Sequence, residues 1–133
     1  MNDKNVHSTI AEMLGELEKN RNVSSEKNVE LGLKIYKLCS KTNYEAGMAV
    51  ALLCIGQAYF NMSEYEKAIP YLFDSINLSQ RQDLCDLQMH SYINIGNIYL
   101  DSGEYEKSLD YYNSAEKLAK LIKHSKNYYD NSS

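Results

Sequence analysis

Tryptophan is missing from this 133-residue sequence, proline occurs once and glycine six times. So little punctuation cannot supply the many turns of an all-β fold, and the segments between breaks are too long for strands. No run of about 18 uncharged apolar residues is present to span a bilayer. The opening MNDKNVHSTI carries Asp3 and no long apolar stretch, so it does not read as a signal peptide, and a cytoplasmic protein is expected. The three cysteines, Cys39, Cys54 and Cys85, are odd in number and lack CxxC spacing. That argues against a disulfide framework and a structural zinc site, and predicts buried thiols acting as small apolar groups. Lys and Arg are nowhere dense enough to neutralise a row of phosphates, and the net charge is -4. Neither nucleic acid nor a membrane is an expected partner.

What remains is a chain with 44% hydrophobic and 24% charged residues. It is too apolar for a disordered tail and long enough to bury roughly two-thirds of its extended surface as a single domain over 1–133. The expected class is all-α.

The chain repeats itself at a shift of 40 residues. Residues 49–80 laid over 89–120 agree at nine positions without a gap, from Ile55 with Ile95 and Gly56 with Gly96 to Leu78 with Leu118. Four agreements are consecutive, Glu64-Tyr65-Glu66-Lys67 over Glu104-Tyr105-Glu106-Lys107. The same shift backwards sets Glu26-Lys27 under Glu66-Lys67, so a degenerate first copy is expected over 8–41, with copies at 44–80 and 84–123. Residues 124–133 then form a polar tail or the start of a further, truncated copy.

Within each copy, apolar residues recur at three- and four-residue steps, break at a turn and resume, as in Tyr92, Ile95 and Tyr99, then Gly103, then Tyr105, Leu109 and Tyr112. The spacing predicts helices at about 8–20, 25–41, 44–61, 64–79, 84–101 and 104–123. Ser63 with Glu66, and Thr9 with Glu12, fit capping boxes. Gly56 and Gly96 lie mid-helix, where Gly costs about 1 kcal/mol relative to Ala. Close approach of Tyr71 or Tyr111, with small Ala68 and Ser108 at the same crossing, is the expected gain. Pro70 predicts a bend. Most of the twelve tyrosines fall at recurring positions and read as gap-filling rings with their hydroxyls at the rim.

The runs Leu52-x-x-Ile55-Gly56-x-x-Tyr59 and Tyr92-x-x-Ile95-Gly96-x-x-Tyr99, with Ala68 or Ser108 and Ser75 or Ala115 after them, resemble the tetratricopeptide repeat. The first copy departs, with Glu16 where Gly56 and Gly96 stand. The usual unit is about 34 residues, so this one adds roughly 9 Å of helix. Long units of this kind resemble those of bacterial regulators and of arrays joined to diguanylate cyclase or histidine kinase output domains. The resemblance implies a right-handed superhelix of about three antiparallel hairpins whose first helices line a concave, peptide-binding wall.

On that wall the middle copy offers Val50, Leu53, Gln57, Phe60 and Asn61, and the last offers His90, Ile93, Asn94, Asn97 and Asp101. An amide side chain pairs with both N–H and C=O of an extended peptide, which makes Asn94 and Asn97 the first choice as backbone clamps. The cations with which some family members grip a C-terminal carboxylate are replaced by Leu53, Ile93 and Asn94, so that mode of binding is not expected here.

Nothing in the sequence points to catalysis or a cofactor. The histidines His7, His90 and His124 belong to no metal motif, and Cys85 and His90 stand about 140° apart around one helix. Two functional classes remain. One is a protein- or peptide-binding module, the sensory or regulatory part of a larger bacterial signalling protein. Lysine outnumbering arginine twelve to two hints at that bacterial origin. The other is a structural element that pairs with a second copy through an uncapped C-terminal repeat.

Overall fold

The computed structural model describes residues 3–20 and 24–131, with side-chain surroundings for 5–20 and 24–126. Among these residues the chain forms six helices and no strand: α1 (Asp3–Asn20), α2 (Ser25–Lys41), α3 (Glu45–Asn61), α4 (Tyr65–Arg81), α5 (Cys85–Asp101) and α6 (Tyr105–Asn131). The class is all-α, as the spacing predicts. Residues 21–23 of the first expected copy and 132–133 of the expected tail lie outside the described residues. The expected end of the last helix at 123 is corrected: α6 continues to Asn131 with no turn at His124. After Gly103 the sequence holds neither glycine nor proline to stop it.

Four turns of one design connect α2 through α6. Asn43, Ser63, Asp83 and Gly103 each take positive φ, between 55° and 78°, just beyond the end of a helix. The next residue then donates its N–H to a carbonyl five positions back: Tyr44 to Cys39 at 2.8 Å, Glu64 to Tyr59 at 2.9 Å, Leu84 to Ser79 at 2.8 Å and Glu104 to Tyr99 at 2.9 Å. This is the Schellman closure, which satisfies carbonyls the helix leaves open. The same four residues start the following helix with their own carbonyls, accepting from Met48, Ala68, Gln88 and Ser108. One residue therefore ends one helix and begins the next.

That geometry overturns both capping boxes. Ser63 is the left-handed residue of the turn, and the N-cap of α4 is Glu64, with no side-chain cap bond. Thr9 lies inside α1 and its hydroxyl donates to the Asn5 carbonyl. The side-chain cap present is Ser24, which accepts from the Lys27 N–H at 3.3 Å. Glu64 and Glu104 instead pair with Lys67 and Lys107 one turn on, and those ammonium groups sit over the rings of Tyr59 and Tyr99. All four charged groups are exposed, so the pairs add little stability.

The mid-helix glycines do mark close crossings, with partners one residue beyond those expected. A Cβ on Gly56 would fall 2.6 Å from Leu72, and one on Gly96 would fall 2.6 Å from the Tyr112 ring. Tyr71 and Tyr111 lie about 100° further round their helices and stack on Tyr59 and Tyr99 at 5.7 and 5.5 Å. Ser108 does serve the crossing, donating to the Gly96 carbonyl at 2.9 Å. Pro70 does not interrupt α4. It is exposed, so the Glu66 carbonyl it leaves unpaired meets water.

Urea denaturation of three variants checks this account. Ser63→Gly relieves a left-handed non-glycine residue and should raise stability by about 1 kcal/mol. Gly15→Ala, with open space around the added methyl, should raise it by a similar ~1 kcal/mol. Gly56→Ala should lower it by about 1 kcal/mol, because the clash with Leu72 exceeds the gain in helix propensity. A stabilising Gly56→Ala would show that the crossing is not tight.

Candidate functional site

Each helix packs on the next, but the two sets of alternate helices differ. The backbones of α1 and α3, and of α3 and α5, come close together, whereas those of α2, α4 and α6 stay apart, α4 and α6 meeting through the rings of Phe73 and Tyr111. In a curved stack of repeats, the layer whose members come closest is the inner one. The wall is therefore built from α1, α3 and α5.

Several expected wall residues face elsewhere. Leu53 is 6% exposed and belongs to the buried cluster of Leu72, Ile76, Ile95 and Ile98, so it is core rather than surface. Asn94 is 9% exposed, and its Nδ2 donates to the His90 carbonyl one turn back at 2.8 Å. Asp101 accepts from the Tyr65 hydroxyl at 2.9 Å, tying the end of α5 to the start of α4. Phe60 is half-buried with its ring 5.7 Å from that of Tyr65.

The remainder stay accessible. Val50, Gln57, Ile93 and Asn97 are half-buried, and Asn61 and His90 are exposed. Asn97 is held in place, because its Oδ1 accepts from the Tyr112 hydroxyl of α6. Its Nδ2 has no partner among the described residues and can still donate. The accessible residues thus combine amides, partly covered apolar groups and the imidazole of His90.

Buried hydroxyls behind the wall fix the helices that carry it. Ser75 of α4 donates to the Ala49 carbonyl of α3 at 2.9 Å, and the Ser91 hydroxyl of α5 lies 3.3 Å from the Ser75 hydroxyl. Phe73, Tyr92, Tyr99 and Tyr111 form an aromatic cluster joining α4, α5 and α6. No group of three or more His, Cys, Asp or Glu side chains able to hold a metal ion occurs among the described residues. No described helix is long and apolar enough to cross a membrane.

The family model described as "Tetratricopeptide repeat" matches residues 47–120, from the first turn of α3 well into α6. The chain belongs to the tetratricopeptide repeat family. No curated protein and no solved structure matches it. Tetratricopeptide repeats are interaction modules, and this chain is a protein-interaction repeat module of that kind. The pair α1–α2 lies outside the matched range, yet α2 packs on α3 and extends the array.

One residue that sequence reasoning missed is Asn28, near the start of α2 and 6% exposed, whose Oδ1 is buried with no hydrogen-bond partner among the described residues. No periodicity marks it. Only the meeting of three helices makes it unusual.

Burial, then the neighbouring Tyr99, raises the Tyr111 pKa above its usual 10.0. The unfolded chain therefore ionises first, so this contribution to stability is intact below pH 10 and lost as pH rises through the folded-state value. Denaturation midpoints near neutrality and above pH 10 should diverge more for the native chain than for Tyr111→Phe. Equal losses in both would remove Tyr111 from the account.

Proposed function

We propose that the wall of α1, α3 and α5 docks an extended segment of a partner protein, and that the module catalyses nothing itself. The observation that supports this reading is the contact of alternate helices, together with the accessibility of Gln57, Asn61, His90, Ile93 and Asn97. Asn97 Nδ2 and the Gln57 amide meet the peptide backbone, and Ile93 and Val50 cover its side chains. The 40-residue unit supports a finer reading, in which this module is the cytoplasmic sensory or regulatory part of a larger bacterial signalling protein with a cyclase or kinase output.

A second reading has its own observation. Leu100, Tyr105 and Leu109 are 46%, 68% and 58% exposed, while their counterparts one repeat earlier, Phe60, Tyr65 and Ile69, pack against the core. About 18 Å further along α6 from Leu109, at the other end of the α5–α6 hairpin, a groove of about 470 Å³ is lined by Leu84, Leu87, Leu121 and Ile122. A second copy of the chain covering this end face would make the protein a self-assembling scaffold.

Affinity capture from the source cytosol tests the first reading. The double variant Gln57→Ala, Asn97→Ala removes two hydrogen bonds of about 1 kcal/mol each, so capture should weaken about thirtyfold with helicity unchanged. Undiminished capture would rule out the wall. Sedimentation across a concentration range tests the second reading: Leu109→Lys should abolish any dimer, and a monomer at every concentration would leave only the first.

A further inference from the structure

The charges of α6 are divided between its two halves. Glu104, Glu106 and Asp110 stand at its start, and Lys117, Lys120, Lys123 and Lys126 follow in a stretch from 117 to 126 that holds no carboxylate. Lys107, the one cation near the start, is paired with Glu104 and sits over the Tyr99 ring. A helix dipole favours acids in the first turn and bases in the last, but its influence fades within a turn of each end. The last turn of α6 carries no basic residue, and Lys117 stands near the middle of the helix. The dipole therefore does not account for the division.

The pattern falls on a face that no described helix covers. In the hairpin before, Ile69, Phe73 and Ile76 of α4 pack with Ile95 and Ile98 of α5. Forty residues on, the same positions are Leu109, Asn113 and Glu116, and all three are exposed. A further hairpin seated as α5 sits on α4 would bury an amide and a carboxylate against apolar side chains. The occupant of this face must instead be polar in its middle and set acid against base. Glu106, Asp110, Lys117 and Lys123 are exposed and form no ion pair among the described residues, whereas Lys120 is already paired with Glu116 at 3.0 Å.

The matching surface is present in the chain itself. We infer that α6 pairs antiparallel with α6 of a second copy, across a twofold axis at the level of Ala115. At about 100° per residue, Glu106, Leu109, Asn113, Lys117 and Lys120 share one side of the helix. Glu106 and Asp110 of each copy then lie along Lys117, Lys120 and Lys123 of the other, and Leu109 beds against the lysine stems. A parallel pairing would set like charges together. Because the contact is isologous, it closes at two copies and leaves no end to extend. The wall of α1, α3 and α5 lies on other helices and stays open. The pairing rests on the reading in which a second copy covers this end face, and gives that copy its orientation.

Sedimentation velocity of the full chain, across concentration and salt, tests it. The native chain should form a dimer whose fraction falls as salt is raised, since the facing charges are exposed. One variant reverses the first half, Glu106→Lys with Asp110→Lys. Another reverses the second, Lys117→Glu with Lys120→Glu and Lys123→Glu. Each alone should weaken self-association about a hundredfold, because like charges then face each other. Mixed in equal amounts, the two should dimerise again, since every facing pair is once more opposite in sign. That recovery also shows both variants to be folded. If circular dichroism shows that either has lost its helicity, the single variants Asp110→Lys and Lys117→Glu replace them with the same expected pattern.

A native dimer that ignores salt and both reversals, or a helical mixture that stays monomeric, overturns the α6 pairing and leaves the second copy to dock elsewhere. A native chain that is monomeric at every concentration overturns both the pairing and the reading beneath it.

Discussion

A single hydrogen bond, from a residue just past a helix to the carbonyl five positions before it, sets the geometry of the array. It recurs at Tyr44, Glu64, Leu84 and Glu104, and each time it forces the preceding residue into the left-handed region. Because α2 through α5 are all 17 residues long, the left-handed residues fall at 43, 63, 83 and 103. The backbone thus repeats at half the interval of the side chains. Turns within a hairpin and turns between hairpins are the same object, and only the packing surfaces tell the two kinds of helix apart.

Those surfaces follow from where small residues stand. Gly56 against Leu72 and Gly96 against Tyr112 let paired helices approach closely. The hydroxyls of Ser75 and Ser108 satisfy the Ala49 and Gly96 carbonyls of the facing helices. Direct contact between α1 and α3 and between α3 and α5 then produces a wall on one side only. The candidate site is a consequence of that asymmetry rather than of any single motif.

Much of this was legible in the sequence, for identifiable reasons. Helix existence follows from apolar spacing, which packing reinforces, so the six segments fall within a few residues of expectation except at Asp3 and Asn131. The caps are not legible, because Ser63 followed by Glu66 carries the same letters whether Ser63 starts a helix or closes the previous one. The glycine partners were one residue off because a helix flank and a helix crossing differ by a single step. On the wall, Leu53 and Asn94 satisfy the right period but are covered by neighbouring helices. The demand at Asn28 has no sequence signal, since it arises where α1, α2 and α3 meet.

The aromatic cluster has one more consequence. With no tryptophan in the chain, ultraviolet absorption and emission come chiefly from tyrosine. The near-parallel rings of Tyr99 and Tyr111, 5.5 Å apart and inclined by 12°, form a coupled chromophore at the junction of α5 and α6. The protein therefore carries its own optical gauge of that junction, readable without any label.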